Sequence, residues 1–180
     1  AWLPGQEAGN AVVDVLSGKV NPSGKLTSTF PKRYEETSTS DYFPGYSVEG
    51  DTDDKKDESG FSFMKREPWE VVYQEDIFVG YRYFQTFKVP VSYEFGYGKS
   101  YTTFEFSNLK LDKITFKDNI EVSIDITNTG KIEGKEAVQI YVSAPNGKLI
   151  KPHSELVAFV KTKLLKPDET ETLSFSISAK

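Results

Sequence analysis

"NIEVSIDITNTG", residues 119–130, decides the fold. Ile120, Val122, Ile124 and Ile126 fall on alternate positions, with Glu121, Ser123 and Asp125 between them. Successive side chains of a strand point to opposite faces, so this run is a strand with one apolar and one polar face. Working outward, "EAVQIYVSAP" (136–145) repeats the alternation with Val138, Ile140 and Val142. "ELVAFVKT" (155–162) and "ETLSFSI" (171–177) do the same. "NTGKIEGK", "APNGK" and "KPDET" are the turns between them, marked by Asn, Gly and Pro. Strands are expected near 104–111, 120–127, 137–143, 156–162 and 171–177. Short strands with one apolar face and Gly/Pro-rich turns read as an antiparallel sandwich. A full sandwich has about seven strands, so at least one further edge partner is expected beyond these.

The N-terminal part reads differently. In "PGQEAGNAVVDVLSGKVNPSGKL" (4–26), Ala8, Ala11, Val12, Val15 and Leu16 form a helical stripe over about residues 6–17. Gly18 stands where a helix ends in the left-handed conformation. "NPSGK" is a turn and "LTSTFP" a short strand closed by Pro31. This is an α/β fragment, one helix on a sheet and incomplete by itself. Residues 32–70 are polar, charged and without period, the pattern of a solvated loop. Asp51, Asp53, Asp54 and Asp57 raise a Ca²⁺ loop, but the glycine and glutamate of an EF-hand are missing at their positions. "VPVSYEFGYGKSYTTFEFSNLKL" (89–111) is a junction, where Gly96 and Gly98 allow tight backbone among tyrosines. The division is 1–102 and 103–180.

Composition narrows the function. The chain has 180 residues, a net charge of −5 and no cysteine. Disulfides and thiolate metal sites are excluded. Nucleic-acid binding calls for a basic stripe, which is lacking. No apolar run approaches the length of a membrane-spanning helix. The single histidine, His153, follows Pro152 in a polar turn and has no co-ligands around it in sequence, so it is read as a surface residue. No cofactor or metal is expected, and no compartment is indicated.

"VYQEDIFVGYRYF" (72–84) poses the chemical question. Tyr73, Glu75, Asp76, Tyr81, Arg82 and Tyr83 are residue types found in sugar-cleaving sites. Its apolar side, Ile77, Phe78, Val79 and Phe84, must however be buried. If the run is helical, Glu75 and Arg82 share a side; if extended, they face apart. A paired carboxylate has a lowered pKa, the reverse of what a general acid needs. The run reads as scaffold, with Tyr73 or Glu75 at the rim of a sugar pocket as the alternative.

Five runs in one order resemble the C-terminal part of glycoside hydrolase family 3, the β-glucosidase and β-xylosidase family. They are "PGQEAGNAVVDVLSGKVNPSGKLTSTFP", "YQEDIFVGYRYF", "VSYEFGYGKSYTTFEFSNLKL", "ITNTGKIEGKEAVQIYVSAP" and "KPHSELVAFVKTKLLKPDETETLSFSI". The likeness covers nearly the whole chain apart from an insertion at 47–68. It implies an enzyme of three parts: a (β/α)₈ barrel, an α/β sandwich domain and a fibronectin type III-like domain. The family is retaining. Its aspartate nucleophile lies in the barrel in a Ser/Thr-Asp-Trp/Tyr type motif, and its acid/base glutamate lies upstream of the "PGQEAG" segment. No Ser-Asp-Trp and no Gly-x-Glu-x-x-Asp-Arg motif occurs here, so no catalytic residue carries over. Retaining cleavage needs two carboxylates about 5–5.5 Å apart across one sugar. The expected role is therefore a non-catalytic part of an exo-acting β-glycosidase, partnered by the barrel and the start of the α/β sandwich domain. The β-glycoside would be bound in the assembled enzyme. The alternative is a carbohydrate- or protein-binding fibronectin-like module using Phe61, Phe63, Trp69 and Tyr73.

Overall fold

The computed structural model describes residues 5–43, 45–47, 69–145 and 147–178, with the backbone alone at 46, 47 and 69. The Ca²⁺ loop reading of Asp51, Asp53, Asp54 and Asp57, the Phe61 and Phe63 rings and the Trp69 side chain lie outside the described residues.

The alternating runs form strands at the expected places: β5 Phe104–Leu111, β6 Asn119–Asn128, β7 Ala137–Val142, β8 Glu155–Lys161 and β9 Thr170–Ser178. They make two layers, a three-stranded sheet in the order β5-β6-β9 and an antiparallel β7-β8 pair. The β6–β9 register sets Ile120 opposite Ile177, Val122 opposite Phe175 and Ile124 opposite Leu173. These same-face pairs are what stabilises a sheet. They pack with Ile126, Val138 and Leu165 into the core, flanked by Phe104, Ile140 and Ala158. The opposite face carries Glu121, Ser123 and Asp125, as the alternation requires.

Strand β5 is an edge and it is not regular. Ser107 faces Asp125, but the next pair is Lys110 with Ser123, so β5 carries one extra residue. Asn108 takes a φ of 52° there and its amide donates to Asp125 Oδ2 at 2.9 Å.

At the opposite end of the core sits Asn128, with no exposed surface. Its Oδ1 accepts from Thr102 Oγ1 at 2.6 Å and from the Gly130 N–H at 3.1 Å. Its Nδ2 donates to the carbonyls of Ile132 and Leu165, both at 2.9 Å. Every hydrogen-bonding position of the amide is used, which is the condition for tolerating such a group in a core.

The N-terminal half holds helix α1, Ala8–Leu16. Gly18 follows at φ 78° and donates to Val15 O, as the sequence pattern implies. None of the helix residues is buried, and Val12, Val13 and Leu16 are 44%, 62% and 77% exposed. The strand expected over "LTSTFP" shortens to β1, Phe30–Pro31, paired with β4, Val91–Tyr93. Leu26 does form a two-way backbone link with the 96–97 turn, through Gly96 N and Tyr97 O, each at 2.8 Å. Gly96 has a φ of 81°, a conformation that favours glycine. Of the 32–70 region, the described part comprises a 3₁₀ turn, Tyr34–Glu36, and two short paired strands, β2 Tyr46–Ser47 and β3 Trp69–Glu70.

Candidate functional site

The run 72–84 is neither one helix nor one strand. Residues 71–75 lack regular structure, and a turn follows at Asp76, with φ 50°. Helix α2 then spans Tyr81–Thr86 from a Gly80 cap. Glu75 and Arg82 do not pair: Arg82 faces Glu155, while Glu75 shares a recess with Tyr83 and Phe87 beside the same helix.

Arg82 belongs to a seam. Its Nε approaches Glu155 Oε1 at 3.2 Å without the alignment of a hydrogen bond, and its guanidinium lies 5.5 Å from the Tyr81 ring centre. Three other residues of the same short helix accept hydrogen bonds from the approach to β8. Tyr81 Oη accepts from the Leu156 N–H, Gln85 Oε1 from Ser154 Oγ, and Thr86 Oγ1 from the His153 N–H. His153 is thus a backbone donor with an exposed side chain. Tyr81 also stacks on Phe95 at 4.7 Å and meets Tyr141 edge-on at 6.0 Å. Burial, with Tyr81 alongside, pushes the Tyr141 phenol above its ordinary pKa.

The segment after α1 closes the seam from the other side. Asn21 Oδ1 accepts from Ser100 Oγ and the Tyr101 N–H, and its Nδ2 donates to Glu133 O at 3.0 Å. Lys25 Nζ pairs with Glu136 Oε1 at 2.6 Å, with only 21% and 11% of the two side chains exposed. Lys161 Nζ reaches Ser23 Oγ, and Tyr101 Oη donates to Val15 O at 2.7 Å. Two independent sets of polar contacts therefore tie the α/β part to the sandwich.

Glu75 lies away from this seam. It lines a recess of about 220 Å³ with Ser38, Tyr42, Gln74, Phe78, Tyr83 and Phe87. Its Oε2 is sealed from solvent and finds no donor among the described residues. Tyr73, two residues earlier, is 82% exposed. The sequence reading passed over Ser40-Asp41-Tyr42, which spells a Ser-Asp-aromatic triplet. Asp41 is exposed on a turn.

The electrostatics do not single out a general acid. Asp125 is held below its ordinary pKa by Thr172 first and Asn108 second. Glu169 is held down by Lys163 and by the Lys166 N–H. A general acid needs the opposite displacement. No group of three or more metal-ligating side chains occurs among the described residues.

Known proteins resemble the chain along its whole length. Residues 1–81 match the glycosyl hydrolase family 3 C-terminal domain, and residues 136–180 match a fibronectin type III-like domain. Beta-glucosidase B of Emericella nidulans is 42% identical over the whole of this chain, which covers 20% of that protein. Thermostable beta-glucosidase B of Acetivibrio thermocellus is 40% identical over 98% of this chain and 21% of its own length. The solved structure of beta-glucosidase 3B from Thermotoga neapolitana in complex with glucose superposes with a TM-score of 0.81 at 46% identity, over 98% of this chain and 22% of that one. The chain thus spans about a fifth of the length of the relatives it matches. It corresponds to the C-terminal portion of glycoside hydrolase family 3 proteins.

Proposed function

We propose that the chain is the non-catalytic C-terminal part of a retaining, exo-acting β-glycosidase of the β-glucosidase kind. The enzyme removes terminal non-reducing sugar residues. The barrel and the start of the α/β sandwich domain belong to the remaining part of the same enzyme, and this chain scaffolds the active site formed there. No residue here is assigned to catalysis. The division falls at 102/103, just before β5.

The observation that supports this reading best is the uncovered face of α1. An apolar stripe with Val13 at 62% and Leu16 at 77% exposure gains about 25 cal/mol for each Å² covered. It asks for a sheet that the described residues do not supply under it. Residues 1–100 accordingly pack on the rest of the enzyme through an interface above about 2,000 Å². The purified chain is expected to leave aryl β-glucosides and β-xylosides intact, and the polypeptide bearing the barrel is expected to restore turnover on mixing. Hydrolysis by the chain alone would overturn the proposal, as would a monodisperse monomer that melts cooperatively and never associates with the barrel part.

A further inference from the structure

The sandwich half carries an uncovered apolar face of its own, apart from α1. Val138 and Val160 stand opposite each other in the β7-β8 pair, and Val138 is buried in the core. Their neighbours Gln139 and Phe159, also opposite each other, therefore face outward. At β7 that outer face is covered: a Cβ on Gly96 would collide with the Gln139 amide. At β8 it is bare, and Phe159 is 75% exposed. Between the two lies a cleft of about 340 Å³. One wall is the segment Ser23–Thr27 with Phe95, the other Ala137, Leu156, Phe159 and Val160. The surface facing the cleft is almost wholly apolar. A large aromatic ring left open beside such a cleft marks a contact surface rather than a solvated one.

The walls state what the occupant is. Apolar surface takes an apolar side chain, and the volume is at the lower end of that for a bound organic group. Lys161 sets the charge. Its Nζ reaches across from β8 to Ser23 Oγ on the facing wall at 3.1 Å. Among the described residues it has no carboxylate within ion-pair distance. An ammonium has three protons to give, so a carboxylate beside the apolar side chain completes the match. The source follows from size and position. The chain spans about a fifth of its relatives' length, and the Ser23–Thr27 wall follows directly on α1, whose apolar stripe is also uncovered. We propose that this cleft is a docking site for a segment of the rest of the enzyme, which lays a bulky apolar side chain against Phe159 and sets a carboxylate beside Lys161. This rests on the reading of the chain as part of a longer glycosidase, and extends its contacts from residues 1–100 to the sandwich half.

The test mixes the full chain with the polypeptide bearing the barrel and reads two quantities besides turnover. Acetylation of Lys161 by acetic anhydride, followed by peptide mass, is expected to slow about tenfold in the complex, with the exposed Lys117 unchanged. Phe159→Ser alters a side chain that is open in the free chain, so the chain's own melting temperature is expected to hold. Its association with the barrel part is expected to weaken about thirtyfold, the loss of an aromatic anchor. The outcomes keep the two proposals apart. If the wild-type chain and the barrel part never associate, the longer-enzyme reading falls and the docking site with it. If they associate and turn over substrate while Lys161 reacts as fast as in the free chain, or Phe159→Ser binds as tightly as the wild type, the docking site alone is overturned. Equal protection of Lys161 in the concentrated chain by itself would assign the cleft to a second copy and overturn it too.

Discussion

Replacing Asn128 by alanine tests how the sandwich is held at its closed end. The substitution removes four hydrogen bonds, but their partners do not suffer alike. Leu165 O keeps the Gly134 N–H at 3.0 Å. Ile132 is 49% exposed, so its carbonyl has access to water. The Thr102 hydroxyl is buried, at 8% residue exposure, and carries the full cost of an unmet group, about 1–3 kcal/mol. With about 1 kcal/mol more for Gly130 and a further contribution from the vacated space, the total comes to about 3–4 kcal/mol. That is a large fraction of the 5–15 kcal/mol typical of a whole domain. Native-state hydrogen exchange of the β6 and β9 amides reads this locally. Asn128→Asp gives a second test with a distinctive sign. Its added oxygen faces the Ile132 and Leu165 carbonyls, so the charged form is disfavoured and the folded pKa rises above the ordinary value of about 3.9. Stability of that variant is fullest below the unfolded pKa and lost as pH rises through the folded one. A loss under about 1 kcal/mol in the alanine variant, or an aspartate variant that ignores pH, would show that the amide network is ornamental.

Two further outcomes are expected. Lys25→Met leaves the buried Glu136 without its counter-ion and lowers stability by about 2 kcal/mol, less than a fully buried pair because both groups retain some solvent; adding Glu136→Leu recovers most of it, and melting temperatures of the wild type, the two single variants and the double variant check the coupling. Thr172→Val removes the main cause of the lowered Asp125 pKa; since a depressed pKa stabilises above the unfolded value of 3.8 and is lost as pH falls through the folded value, the Asp125 titration midpoint should move up in the variant, and an unmoved midpoint in a carboxyl NMR titration would contradict this.

The strands were legible because their pattern is local. Ile120 to Ile126 declare a face by period alone, and the core assembled from that face. The seam was not legible, because its partners lie far apart in sequence: Lys25 finds Glu136, and Arg82 finds Glu155 rather than Glu75. No spacing rule reaches across such distances. The shortening of the "LTSTFP" strand has a related cause. Its alternation is real, but a ladder needs a partner, and β4 supplies one only at Phe30 and Pro31. The place of α2 depends on three side-chain acceptors in one short helix, whose partners near β8 no local pattern in 72–84 announces. The recess at Glu75 became visible only once Ser38 and Tyr42 were folded against it.

The irregularity of β5 bears on the behaviour of the molecule in crowded solution. Phe106, Leu109 and Leu111 stand 49%, 62% and 55% exposed along that sheet edge. A straight edge strand with such side chains offers a second copy a row of evenly spaced partners, the first step toward a growing stack. The extra residue at Asn108 throws the two halves of the edge out of step. An incoming strand that matches one half misses the other, so the ladder ends after a few rungs. A detail that looks like a flaw in pairing thus bears on contacts between molecules, since a tidier edge would present an unbroken ladder to a second copy.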